Sequence, residues 1–360
     1  VFRNLWHHAV PLQFKHRLTE TTLFVTTACN FHCRHCFVAD ELNKKVTPLS
    51  VDEIKRTAAH IPYMQRVQIS GGEPFTRKDI ADIALVLSND WNAGVVCIPT
   101  NGWFTDNIVH TIEHFGEKAK GHLRVFFSIN SIDEAEMDAF SQVKGSLTRW
   151  KKTVAEARKA ADRFKNVTLV ALSTYNEFNM ASFPRLAEFV AHESEFDDFS
   201  FHLARGHDAY APAVDYTNYR KVLDTYFRYD NHANRLLRAY RERVRQEHLE
   251  MLEQGVAVPC RAGTLRIVIA PNGDVYPCER QGFPNGPDKD NWKLGSLREQ
   301  NYDLKAILAT PQAKAVRERV AEHPCHCNHE IDVALSLLSR TGFRLRVLRD
   351  ALALRPNVAH

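Results

Sequence analysis

The chain has 360 residues, 44% apolar and 25% charged, the balance of a globular protein with room for two ordinary domains; collagen, a disordered tail and a mucin-like stalk are excluded. No run of about 18 apolar residues occurs, and residues 1–16 lack the apolar stretch and cleavage site of a secretory signal, which points to a soluble, cytoplasmic protein. A formal net charge of +4 is too mild to mark a nucleic-acid groove, so no nucleic-acid partner is expected.

In chain order, six short runs rich in Val, Ile, Phe and Leu read as strands: 22–27, 66–70, 95–100, 123–129, 167–172 and 199–203. Between them, 50–60, 79–89, 106–116, 147–164 and 180–191 have helical apolar spacing, several opening on a Ser, Thr or Asp suited to capping. Six such repeats over 17–211 predict an α/β fold, a partial (β/α)6 parallel barrel with crossover helices. Chemistry in such sheets collects at the carboxyl ends of the strands. Residues 212–259 read as a helical linker with charged helices at 219–229 and 232–253, in which Arg235, Arg238, Arg241, Arg243 and Arg245 interleave with Glu residues; a solvated, pair-laced face is the leading reading of them and a substrate patch the minor one. Residues 260–330 form a small cysteine-rich domain whose runs 265–270 and 275–278 flank the turn Pro271-Asn272-Gly273-Asp274. Residues 331–360 are expected as an amphipathic C-terminal helix, since 334–356 is apolar at helical spacing and carries Arg340, Arg344, Arg346, Arg349 and Arg355. Packing onto the barrel is one use of that helix; peripheral contact with an anionic membrane is the other.

Seven of the eight cysteines fall into two groups, which in a long chain without an export signal favours metal or catalysis over disulfides. Cys97, in the run Gly94-Val95-Val96-Cys97-Ile98, reads as a small buried hydrophobe. Cys29-Asn-Phe-His-Cys33-Arg-His-Cys36 is a C-x3-C-x2-C loop directly after the first strand. Three thiolates here can converge on one centre: zinc with His32 or His35 as fourth ligand, or a four-iron cluster with one iron left open to an exogenous ligand.

This loop resembles the signature of the radical S-adenosylmethionine (radical SAM) superfamily, and Ser70-Gly71-Gly72-Glu73-Pro74, Thr100-Asn101-Gly102 and the pair Ser128 and Asn130 fall at successive strand ends as that family's motifs do. The resemblance implies that Cys29, Cys33 and Cys36 hold a [4Fe–4S] cluster whose open iron chelates the amino and carboxylate groups of SAM. It implies further that Gly71, Gly72, Glu73 and Pro74 lie against the methionyl amino group, that His35 sits near the adenine, and that Ser128 and Asn130 meet the ribose, Asn130 replacing the commoner Asp. Ser173, Asn176 and Asn179 after the fifth run and Arg205 after the sixth are further candidate SAM contacts. The implied chemistry is reductive cleavage of SAM to methionine and a 5′-deoxyadenosyl radical, which takes hydrogen from an unactivated carbon, fed by a reductant such as flavodoxin or ferredoxin. No catalytic acid or base is required for that step, and none is assigned.

Cys260, Cys278, Cys325 and Cys327 resemble the ligand set of a SPASM or twitch auxiliary-cluster domain, the small cysteine count favouring the twitch-like form with one fully ligated auxiliary [4Fe–4S] cluster. The tight Cys325-His326-Cys327 leaves His326 and His329 as alternative fourth ligands, and zinc as an alternative occupant. By the same resemblance the auxiliary cluster assists electron transfer in an oxidation or cross-link. The expected substrate is a peptide side chain or small metabolite; the start of the cysteine motif at residue 29 weighs against a preceding peptide-recognition domain. A lipid-linked substrate at a membrane, and a non-catalytic iron–sulfur scaffold, are the competing readings.

Overall fold

The computed structural model describes residues 18–61, 63–192, 194–204, 215–229, 234–257, 259–284, 288–323, 325 and 327–354. Six parallel strands form its frame: β1 Glu20–Phe24, β2 Met64–Ser70, β3 Ala93–Thr100, β4 His122–Ser128, β5 Val167–Tyr175 and β6 Asp198–Leu203. Right-handed crossovers need covering helices, supplied by α1 Val51–Thr57, α2 Ile80–Asn89, α3 Thr105–Lys118, α4 Glu134–Ser141, α5 Ser146–Ala161 and α6 Phe183–His192. Local chemistry starts several of them. Ser50 accepts from the Glu53 backbone N–H while Glu53 bonds back to Ser50, a complete capping box, and Asp133 accepts from the Glu136 N–H to open α4. The core between sheet and helices is built from fully buried Val67, Ile69, Ile83, Ile98, Ile112, Leu123, Phe127 and Leu169. Cys97 is buried in this sheet, as a small hydrophobe would be.

Helices α7 Tyr216–Tyr229 and α8 Arg235–Gln254 follow, then the hairpin strands β7 Arg266–Ile269 and β8 Asp274–Tyr276, β9 Gly295–Ser296, and the helices α9 Leu304–Ala309, α10 Pro311–Glu322, α11 Glu330–Leu338 and α12 Thr341–Ala353. The hairpin does not stand apart from the barrel. β7 pairs in parallel with β1, Glu20 opposite Arg266, giving one nine-stranded sheet in the order β6-β5-β4-β3-β2-β1-β7-β8-β9.

Two expectations need correction. Helix α4, between the fourth strand and the helix expected from 147, was not anticipated; it has eight residues and ends at Gln142 in the left-handed region, without the glycine that usually signals such a stop. The C-terminal segment is two helices rather than one. Val333 and Leu337 pack with Ala239 and Val244 of α8, and so do Phe343 and Val347. The first of the two helices ends at Leu338, where the Ser339 and Arg340 N–H groups donate to the Leu335 and Leu337 carbonyls, and Arg340 turns to extended backbone before the second begins. Among the described residues no helix is long and apolar enough to cross a membrane.

Candidate active site at the strand carboxyl ends

The loop after β1 turns back sharply because its backbone is tied at several points. Cys29 N–H donates to Asn43 Oδ1 at 3.0 Å, Cys36 N–H donates to the Cys33 carbonyl at 3.0 Å, and Asn101 Nδ2 donates to Asn30 Oδ1 at 2.9 Å. Buried Phe31 anchors the loop edge-on against Trp103. Cys29, Cys33 and Cys36 thereby line one cavity of about 390 Å³, and none is in a disulfide. Burial pushes the Cys29 thiol up to about 12 and raises Cys33 and Cys36 as well, with the sulfurs of Cys29 and Cys36 each disfavouring charge on Cys33. Thiols so placed become thiolates only with a cationic centre beside them, which is what a cluster of iron ions provides. The donor set therefore fits an iron–sulfur cluster. His32 is exposed, while His35 lines the cavity, its ring 4.4 Å from that of Phe140 on α4 and held neutral by burial, which lowers it to about 4.

Opposite the loop, Gly71 and Gly72 bring the end of β2 against the β1 turn: Gly72 N–H donates to the Thr26 carbonyl at 3.0 Å and Glu73 N–H to the Ala28 carbonyl at 2.8 Å. The Glu73 carboxylate accepts from Phe75 N–H, Thr100 Oγ1 and Asn101 N–H at 3.1, 3.0 and 2.6 Å, yet burial dominates and pushes its carboxyl up to about 7. It thus faces the cavity as an acceptor poised for a cation. Pro74 starts a buried 3-10 turn and lies outside the lining; its part is to hold Glu73 in place.

Strand pleating determines what else faces inward. Arg66, Gln68 and Ser70 of β2, Arg124, Phe126 and Ser128 of β4, Leu172 and Thr174 of β5, and Asp198, Ser200 and His202 of β6 line the cavity at a spacing of two. Asn130 also lines it, its Oδ1 accepting from Thr174 N–H at 2.8 Å. Ser173 does not. Its odd position turns it outward, where Oγ donates to Asn130 Oδ1 at 3.3 Å; Thr174 is the lining residue. Asn176 and Asn179 are buried in the turn after β5, Asn179 Nδ2 donating to the carbonyls of Asn130 and Thr174, and neither lines the cavity. Arg205 lies outside the described residues. The sequence reading missed Met137, Phe140 and Ser141 of α4 and Tyr240 and Val244 of α8; Arg241 and Arg245, read chiefly as part of a solvated face, also line the cavity, as the minor reading of a substrate patch had it.

Cys260, Cys278, Cys325 and Cys327 meet in a second, smaller cavity with Trp292, Val320 and Val333. Burial raises Cys260 and pushes Cys278 up to about 12. The hydrogen bond between Cys325 and Cys327 leaves the proton on Cys327, lowering Cys325 and raising its neighbour. Four convergent thiols in apolar surroundings fit a fully ligated cluster. His329 is no alternative ligand: Nε2 lies 2.9 Å from Glu279 Oε2 and Nδ1 2.6 Å from Asp332 Oδ2, so both ring nitrogens are engaged. His326 lies outside the described residues.

Comparison with known proteins gives a concordant picture. Residues 23–190 match the family model described as the Radical SAM superfamily, and residues 260–328 match SPASM, described as an iron–sulfur cluster-binding domain. The antilisterial bacteriocin subtilosin biosynthesis protein AlbA of Bacillus subtilis (strain 168) is 24% identical over 84% of this chain and 63% of its own length. A GTP 3′,8-cyclase of Shewanella denitrificans is 37% identical over 93 residues, 25% of this chain and 28% of the cyclase. The chain thus spans less than two thirds of either relative. In fold it resembles Streptococcus suis SuiB bound to S-adenosylmethionine, with a TM-score of 0.61 and 16% identity over 88% of this chain and 72% of SuiB. SuiB has also been solved bound to its precursor peptide SuiA.

Proposed function

We infer, for a chain that belongs to the radical SAM superfamily and carries a C-terminal SPASM domain, that it abstracts a hydrogen atom from a side chain of a peptide and thereby starts an oxidation or cross-link of that peptide. The observation that carries the reading is the meeting of three cysteines, the Gly71-Gly72 turn and Glu73 around one cavity at the strand ends. The peptide class is supported by the likeness to AlbA over 84% of this chain; the name of the cyclase supports a small metabolite as the alternative.

Cys29, Cys33 and Cys36 would hold the SAM-binding [4Fe–4S] cluster, and Cys260, Cys278, Cys325 and Cys327 the auxiliary one. When bound, these groups supply a low-potential electron that cleaves SAM to methionine and a 5′-deoxyadenosyl radical, and an acceptor for electrons leaving the substrate. The chain's own residues do the positioning. Glu73 gives up its proton to solvent as the SAM ammonium arrives and then holds that ammonium. Ser128, Asn130 and Thr174 offer polar atoms to the ribose. His35, neutral and tilted at 34° against Phe140, would offer its ring to the adenine. Tyr240 and Val244 of α8 with Ile331 and Ala334 of α11 line the same cavity and would help keep water from a carbon radical. A flavodoxin or ferredoxin in a reducing cytoplasm suits eight cysteines that form no disulfide.

The test is 5′-deoxyadenosine formation by protein reconstituted anaerobically with iron and sulfide, reduced with dithionite and followed by mass spectrometry. Product from the unaltered chain and a loss of at least 100-fold in Cys33→Ala is the expected result. No product from fully cluster-loaded protein, with or without a candidate peptide, would overturn the reading.

One observation favours a second reading, the same chemistry at a membrane surface. Leu345, Leu348 and Leu352 form an exposed stripe along α12, Leu352 being 83% exposed, with Arg344 and Arg349 on its two sides. Flotation with anionic vesicles, abolished by replacing the three leucines with Ser, is the expected outcome; no flotation of the unaltered chain would remove this reading.

A further inference from the structure

We propose that the amino-end floor of the barrel is an anion-anchoring subsite, so that the substrate carries a carboxylate or phosphate group buried beneath its reacting carbon. The proposal rests on the radical reading above and names the class of substrate that reading leaves open.

Arg66 and Arg124 each stand four residues below the polar strand ends Ser70 and Ser128, about 13 Å deeper in the lumen at about 3.3 Å per residue. From the opposite side α8 inserts Arg241 and Arg245 into the same cavity. Each guanidinium is held by a carboxylate. Glu20 Oε2 takes Nε and Nη2 of Arg66 at 3.1 and 2.6 Å, Asp198 accepts from both Arg124 and Arg241, and Arg245 Nε donates to Glu330 at 3.2 Å. Arg245 is also clamped between the rings of Phe201 and Tyr226, 4.2 and 4.3 Å from their centroids, which fixes its plane.

The donors left over point to a ligand. Arg66 Nη1, Arg124 Nε and Nη1, and Arg245 Nη1 meet no acceptor among the described residues. The Arg66 and Arg124 side chains are 33% and 26% exposed although they lie inside a barrel, and both line its cavity. Guanidiniums placed in a lumen are costly to desolvate, and carboxylates that consumed only part of their donors have not fully offset that cost. A planar or tetrahedral oxyanion matches the fork that remains. Such an anchor would hold the far end of a substrate while its upper part meets the radical; on a peptide the group is an acidic side chain or terminal carboxylate, on a small metabolite a carboxylate or phosphate.

The experiment is anaerobic titration calorimetry on cluster-loaded protein saturated with SAM, so that SAM's own carboxylate site is filled. Glutarate is the probe in one arm and inorganic pyrophosphate in the other. One-site binding of either anion is expected, weakened at least tenfold in Arg66→Gln and in Arg124→Gln and partly retained in Arg124→Lys, with circular dichroism showing each variant folded. The tighter arm identifies the carboxylate or phosphate class. Absence of binding in both arms, or binding unchanged in both Gln variants, overturns the subsite. Because 5′-deoxyadenosine formation is measured separately on the unaltered chain, failure here leaves the radical reading standing, and failure there is seen independently of these titrations.

Discussion

Gly72 sits where no other residue fits. A Cβ on it would lie 2.3 Å from the Ala28 carbonyl oxygen and 2.7 Å from its carbon, both backbone atoms of the turn that leads into Cys29. Gly71, at φ +152°, is similarly pressed against the Thr26 carbonyl. Gly72→Ala must therefore push the cysteine loop away from Glu73. The expected outcome is a loss of about 1–3 kcal/mol of stability by urea unfolding, with SAM affinity of the reconstituted protein reduced more than tenfold by calorimetry. At this scale the sequence was informative wherever chemistry demanded rare residues at fixed spacing: Cys29, Cys33, Cys36, Glu73 and Asn130 all line the cavity. It was uninformative about parity. The stretch Leu169 to Thr174 is covered on both faces, so no polar alternation marks whether Ser173 or Thr174 faces inward.

Among the elements, α1 shows how a short helix is held from outside itself. Glu53, already part of its capping box, accepts from Arg298 at 2.8 and 3.1 Å and from the Tyr302 hydroxyl at 2.7 Å, bonds that tie the first helix to the chain after β9. The hydrogen bonds from Arg298 lead in lowering its carboxyl to about 2. A carboxyl depressed in the folded state contributes stability that is complete above its unfolded value near 4.5 and fades as pH falls toward about 2. Glu53→Gln is expected to cost about 1 kcal/mol at pH 7, the solvent-screened value for such a pair, and the gap to the unaltered chain should narrow below pH 4.5; urea unfolding across that range checks it. Element existence was largely legible from apolar periodicity. The break between α11 and α12 was not, because Val333, Leu337, Phe343 and Val347 fall within about 120° of one face of a straight helix, so the apolar spacing fits one continuous amphipathic helix equally well.

Across the whole molecule, the barrel and the cysteine-rich region are joined by a buried charge network. Arg266, 1% exposed, donates to Asp332 at 3.0 and 3.2 Å, to Glu279 at 2.8 Å and to Thr22 Oγ1 at 2.6 Å. Arg266→Met would leave the buried Glu279 and Asp332 carboxylates with His329 alone between them, a loss of about 3 kcal/mol, to be read as a lowered urea midpoint with melting of both regions together. A midpoint unchanged within error would refute this coupling. The boundary drawn at residue 260 marked a change in composition, and it could not reveal this joint, since partners in a sheet leave no mark of their pairing in a single chain. That same pairing sets a schedule. β1 is complete at Phe24, yet its second neighbour, β7, begins only at Arg266. At roughly 5–20 residues per second, the row of unpaired N–H and C=O groups along β1 would stay open for roughly 12 to 50 seconds of synthesis. During that interval the nascent protein displays an adhesive edge to every other extended chain nearby, so its yield in a cell depends on how well that edge is shielded until translation catches up.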